Sequence, residues 1–178
     1  GSRSTFAHVY IDGVYWGVYN PSERTDQNFA QTYFEDESDV FDAVNVNNPT
    51  GDSQLNTFNA MHSAVTSTDL ANPTNYFAIE GRLADGTRDS NAVVHLSIEN
   101  HVDYMLVNMW GATADWPYQN FYSAGARTNS LGWRFFIWDA EASLGLADNT
   151  DTIGPLGLHD SLRESEEYRL RFADRALK

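Results

Sequence analysis

Large apolar residues alternate with small or polar ones through "FAHVYIDGVYWGVYN", on both sides of Asp12-Gly13. Asp-Gly supplies the two positive-φ positions of a tight type I′ turn, so the stretch predicts a hairpin of two antiparallel strands. Tyr15, Trp16 and Tyr19 on this hairpin are expected in the core rather than stacked on a ligand. Pro21 closes the second strand, and "SERTDQNFAQTYF" predicts a helical turn with Ser22 as N-cap and Phe29 and Tyr33 on one side. From Glu35 to Asp52 the chain is acidic, carries Asn and Pro, and is expected to be irregular. The Glu35 to Asp42 acids read as a solvated face.

Ser53 is placed to cap a helix whose apolar residues Leu55, Phe58, Met61 and Val65 recur at helical spacing. Asn72-Pro73 starts a shorter one through Tyr76, Phe77, Ile79 and Leu83, and "LADGTRDSNAV" is a loop by its turn chemistry. Ile98, Val102, Met105, Leu106 and Met109 mark the strongest helical face of the chain, ending at Trp110-Gly111, and predict a buried helix. A loop from Ala112 to Gln119 comes next, then a short strand near Phe121-Tyr122, a polar turn from Gly125 to Leu131 and a strand "WRFFIWD". That last strand is apolar on both faces and belongs inside a core. A final helix is expected from about Ser161. There are no internal repeats, and the order of elements is α+β with mostly helical mass.

Composition narrows the function classes. The 178 residues are 42% hydrophobic and 13% aromatic, enough for one sizeable core in a single domain or part of a larger one. With 25 acids against 11 bases the formal charge is -14, which repels a phosphate backbone; nucleic acid is excluded as a non-specific partner, and cations are the natural ones. Cysteine is absent, so thiolate zinc sites, cysteine nucleophiles and disulfides are excluded together. No apolar run approaches the roughly 18 residues of a membrane span. Lys178 is the only lysine beside many arginines, a bias that favours an extracellular or cell-surface setting over the cytoplasm and also fits a truncated piece. Gly1-Ser2 reads as a cloning scar, and "YRLRFADRALK" stops inside a helical pattern, so the chain is expected to be incomplete at both ends.

The residues that bear chemistry are Asp115, Asn120 and Asp139. Antiparallel pairing across the Gly125 to Leu131 turn brings Asn120 and Asp139 to one end of a hairpin, with Asp115 beside them. An acid, an amide and a second acid converging there suit phosphoryl transfer, in which one carboxylate orients the acceptor hydroxyl while the amide and second carboxylate hold hard divalent cations. Spacing alone favours local roles: Asp115 capping the turn before Trp116-Pro117, Asn120 bonding its own loop, and Asp139 capping the segment after the strand. His8, His62, His95, His101 and His159 form no metal-ligand spacing, which favours surface or core roles. Glu141 reads as a solvated acid that would otherwise add to a metal shell.

"HVYIDGVYWGVYNPSERTD", "IENHVDYMLVNMWGATADWPYQNFY" and "WRFFIWDAEASLG" resemble the spore coat protein H (CotH) kinase family, with its similar "G-x-Y-W-G-x-Y", "D-W-x-x-x-N" and "W-D-x-x-x-x-x-G" motifs. The resemblance runs from about His8 to at least Gly145, and "YRLRFADR" also looks familial. It implies an atypical protein-kinase-like fold that transfers the γ-phosphate of ATP to serine or threonine of a partner protein. By it Asp115 is the catalytic-loop acid, Asn120 the catalytic-loop metal amide and Asp139 the acid that binds Mg2+ or Mn2+. Glu23, just past the hairpin, falls where a hinge acid would meet a ribose; a helix-start charge is the plainer reading.

"D-x-x-x-x-N" from Asp115 to Asn120 has the kinase catalytic-loop spacing, although Ala114 precedes it without a His-Arg pair and Ala140-Glu141 stand where ordinary kinases have Phe-Gly. The kinase lysine that holds the α/β-phosphates has no counterpart before Lys178. The expected organisation is therefore one kinase-like domain over 1–178, with a late N-lobe hairpin and hinge over 1–34 and the C-lobe part with its catalytic hairpin over 35–178. The lysine strand and glutamate helix would lie upstream, and this chain alone would be inactive. The alternatives are a catalytically silent CotH-like binding or adhesion domain and a divalent-metal hydrolase using the same carboxylates.

Overall fold

Asp12 and Gly13 take positive φ, 51° and 79°, and turn β1 (Ala7–Ile11) into antiparallel β2 (Val14–Tyr19). The expected hairpin forms. The computed structural model describes residues 2–34, 40–128, 131–145 and 154–178; Gly1 and the stretches between those ranges are outside it. Within them are six α-helices and two small antiparallel sheets, an α+β architecture.

The hairpin departs from expectation in its burial. Tyr15, Trp16 and Tyr19 are exposed, as are Tyr10 and Val14 on the same ribbon. The register slips between Val9 and Tyr10, where Val9 faces Gly17 and Tyr10 faces Tyr15, leaving Trp16 as the extra residue of a bulge. A two-stranded ribbon has no second layer of its own, and the helices here cover the other sheet instead.

Asp26, not Ser22, caps α1 (Gln27–Tyr33): its carboxylate accepts from the Asn28 and Phe29 amides. Ser22 instead forms a bridge with Ser4 ahead of that helix. Of the acidic stretch expected to be irregular, residues 35–39 lie outside the described ranges. The remainder folds into β3 (Phe41–Asn45), a buried inner strand, and the two-residue β4 (Asn48–Pro49). Asp42 is accordingly not on a solvated face. Its side chain is 1% exposed, and Oδ1 accepts from the Gln54 amide at 2.7 Å and from Arg127 Nη2 at 2.8 Å. Burial of this acid is tolerated because a guanidinium and a backbone amide replace its water.

Ser53 does not cap α2 (Asn56–Thr66), which begins after Leu55 without a side-chain cap; the Ser53 hydroxyl accepts from the Ala43 amide and fastens the loop to β3. Asn72 caps α3 (Pro73–Ile79) through the Thr74 amide, and α4 (Ile98–Trp110) runs from Ser97 to a Gly111 C-cap with Ile98, Val102 and Met105 buried. The strand near Phe121-Tyr122 is longer than expected: β5 (Phe121–Ala126) is buried throughout and pairs on one side with β3, on the other with β6 (Arg134–Ile137). The order is β4-β3-β5-β6. Residues 129–130 of the connecting turn are outside the described ranges.

The sheet is covered on both faces, which explains its doubly apolar strands. One core joins Ala30 and Phe34 of the α1 segment to Phe41, Tyr122 and Phe136. The larger one joins Phe121 and Phe135 to α2, α3, α4 and the C-terminal helices. The helix expected from about Ser161 is two helices, α5 (Leu158–Leu162) and α6 (Glu166–Ala176). Ser165 caps the second through the Tyr168 amide, so a new helix starts where one was expected to continue. No described helix is long and apolar enough to cross a membrane.

Candidate active site

Phe121 pairs with Ile137 at one end of the β5/β6 ladder. Asn120 immediately precedes the first and Asp139 comes two residues after the second, so both stand at the same end of the hairpin. Asp115 reaches that end through its backbone. Its carbonyl accepts from the amides of Tyr118 (3.3 Å) and Gln119 (3.1 Å), folding the loop into a turn against Asn120. The Ala114 amide donates to the Ala142 carbonyl at 2.9 Å, tying the same loop to the segment after Asp139. Trp116, fully buried and edge-on to Tyr104 at 5.6 Å, anchors the turn in the core.

Backbone conformation singles out the same place. Asp115 and Asn120 both have φ 61° and Asp139 has φ 56°. Ala112 and Leu144, in the same two loops, also lie in the left-handed region. Asp and Asn tolerate this conformation best, but alanine and leucine adopt it only where surroundings force them, and such residues concentrate at functional sites. Asp115 and Asp139 are exposed and Asn120 is half-buried. Two carboxylates and an amide within reach of solvent are hard oxygen donors, the chemistry that Mg2+ and Mn2+ take. Among the described residues no three His, Cys, Asp or Glu side chains gather as a metal group, so a cation here would rely on the amide and on oxygens brought by a ligand. Glu141 is exposed.

Glu23 precedes α1, and no hydrogen bond joins its side chain to Asp115, Asn120 or Asp139 among the described residues. Its Oε1 accepts from the Tyr33 hydroxyl at 2.6 Å and its Oε2 from the Arg3 amide at 3.3 Å, while the Arg3 guanidinium lies over the Tyr33 ring at 4.3 Å. The hydrogen bond to Glu23 is also the main cause of a raised Tyr33 pKa. Both carboxylate oxygens are thus engaged within the chain, although Glu23 lines a shallow groove of about 260 Å3 with Asn28, Phe29 and Thr32.

A family model described as CotH kinase protein matches residues 1–174. The chain belongs to the CotH kinase family. No curated protein is significantly similar to it. Within this CotH-family chain, residues that the motif reading passed over hold the site together. Thr113, 4% exposed, meets Ser143 hydroxyl to hydroxyl at 3.1 Å, and the Leu144 amide donates to the Gly111 carbonyl at 2.5 Å. Nothing in the spacing of a threonine and a serine thirty residues apart announces such a pair.

Proposed function

We propose that the chain carries the acceptor and metal side of a protein-kinase-like phosphotransferase, moving the γ-phosphate of ATP to a serine or threonine hydroxyl of a partner protein. The supporting observation is that Asn120 and Asp139 flank one end of the β5/β6 hairpin, with the Asp115 turn folded beside Asn120, all three on left-handed backbone in a chain of the CotH kinase family. In this reading 1–34 supply a late N-lobe hairpin and hinge and 35–178 the C-lobe part.

Asp115 orients the acceptor hydroxyl and takes its proton as the oxygen attacks the γ-phosphorus; the bond to the bridging oxygen breaks and ADP leaves with that electron pair. Asn120 and Asp139 would hold Mg2+ or Mn2+, which supplies positive charge against the phosphate oxygens when bound. Glu23 is the weaker assignment, as a ribose contact, because it would first have to release Tyr33 or Arg3.

Calorimetric titration with Mn2+, with and without ATP, tests the reading. Weak binding that ATP strengthens, weakened at least tenfold by Asp139→Asn and little changed by Asp115→Asn, is expected. Equal binding in wild type and Asp139→Asn removes Asp139 from the site.

A second reading, a catalytically silent binding or adhesion domain, is favoured by one observation. Lys178, the only lysine, comes after α6 and lines a groove with Ile98 and Val102, at the end of α4 opposite Gly111 and the Asp115 loop. This chain carries no other lysine. Unchanged partner binding in a variant that has lost Mn2+ would support this second reading.

A further inference from the structure

We infer that Thr113 and Ser143 are positioning residues that hold the Asp115 loop and the Asp139 loop in one fixed relation. The inference rests on the proposed phosphotransfer site and adds residues that its motifs do not contain. The Ser143 hydroxyl donates its single proton to the Ala140 carbonyl at 2.6 Å. The two hydroxyls lie 3.1 Å apart, within hydrogen-bond distance, and with the Ser143 proton on Ala140 the Ser143 oxygen is open to accept. A relay thus runs from Thr113 through Ser143 to the residue next to Asp139.

Backbone bonds flank the relay on both sides. Ala114 donates to Ala142 at 2.9 Å and Leu144 donates to Gly111 at 2.5 Å, while the Thr113 amide donates to the Asn108 carbonyl at 3.1 Å and so roots the assembly in α4. Two of the residues between these bonds, Ala112 (φ 44°) and Leu144 (φ 58°), keep a backbone that their side chains disfavour. Such a conformation persists only where its surroundings over-determine it.

The clip matters to Asp115 and Asp139 because no hydrogen bond is seen to orient either carboxylate among the described residues. The backbone of the two loops sets where each side chain starts. Whatever fixes the two loops against each other fixes the geometry of acid and metal ligand together.

The test compares Thr113→Val, Ser143→Ala and their double variant with Thr113→Ser, which keeps the hydroxyl. Amide hydrogen exchange is read at Ala114 and Leu144 against strand β5 amides as internal reference. Exchange at Ala114 and Leu144 is expected to rise about tenfold in either single variant, no further in the double, and to return close to wild type in Thr113→Ser. A merely structural role would accelerate β5 as well, or would not be rescued by serine, and either result overturns the inference.

Mn2+ supplies the second readout, through paramagnetic broadening of amide signals. In wild type the ion should broaden Asp115 and Ala140 together; in Ser143→Ala it should still broaden Ala140 while broadening of Asp115 falls at least threefold. Unchanged broadening of Asp115 overturns the clip but leaves the metal site standing. No broadening in wild type removes the metal site, and with it the positioning role, even where the exchange result is positive.

Discussion

Arg127 and Asp42, 85 residues apart, form an ion pair in which the carboxylate is buried and the guanidinium half-exposed. The pair joins the start of β3 to the residue just past β5, and Arg127 Nη2 also donates to the Asp52 carbonyl at 2.9 Å. It closes the open end of the central strand pair.

Removing the cation leaves a buried charge without its partner. Arg127→Met should lower the melting temperature on the order of 10 °C, and adding Asp42→Asn should recover part of the loss because the amide carries no charge. Thermal melts of the two single variants and the double variant decide it. Additive losses would mean that the pair is not coupled.

Two buried histidines give the stability a pH dependence. Burial holds His101 down to about 3, reinforced by His159 nearby; burial, then Arg163, holds His159 down to about 4. A base whose folded pKa is depressed is neutral in the folded state and protonates first when unfolded. The stabilisation is therefore complete above the ordinary histidine pKa and is lost as pH falls from about 6.5 toward 4, by up to about 1.4 kcal/mol per pH unit for each histidine. Denaturation between pH 7 and pH 5 should show this slope, and His159→Phe should flatten it while losing the 2.8 Å hydrogen bond to the Tyr168 hydroxyl.

Aromatic size does not measure importance here. Trp16 is exposed on the hairpin, so Trp16→Ala should change the unfolding free energy by no more than about 0.5 kcal/mol. Gly125 is small, yet a Cβ there would come within 2.7 Å of the buried Trp133 ring. Gly125→Ala should cost about 1–3 kcal/mol through overpacking. Urea denaturation of both variants gives the comparison, and a large loss at Trp16 would mean that the hairpin is covered in solution.

The 178-residue chain is expected to transfer no phosphate to a serine- and threonine-rich acceptor protein above background, since no lysine stands near the proposed site to hold the α/β-phosphates. Radiolabelled γ-phosphate transfer is the measurement. Incorporation above background that Asp115→Asn abolishes would assign that task to another cation.

Elements encoded by local patterns were legible. Asp12-Gly13 needs only its own φ preferences to turn the first hairpin, Asn72 needs only the next amides to cap α3, and the repeating apolar face of α4 with Gly111 at its end states both its extent and its burial. The doubly apolar "WRFFIWD" likewise announced an inner strand, and its pairing with β5 is the natural outcome of two apolar runs joined by a polar turn. The candidate residues Asp115, Asn120 and Asp139 stood out by motif; antiparallel register puts Asn120 and Asp139 at one end of that hairpin, and the bonds of its own loop bring Asp115 beside them.

What the tertiary structure alone decided is everything that depends on a partner distant in the chain. Strand β3 was hidden because Asp42 and Asn45 look like loop residues until Arg127 and the Tyr122 hydroxyl are set beside them. Tyr15 and Trp16 have the composition of a core and are exposed, with no layer packed on their ribbon among the described residues. Thr113 and Ser143 are ordinary residues singly and meet only after α4, β5 and β6 have folded. Periodicity records which face of an element is apolar; what covers that face, and which polar group neutralises a buried one, is fixed by contacts whose ends the chain brings together only on folding.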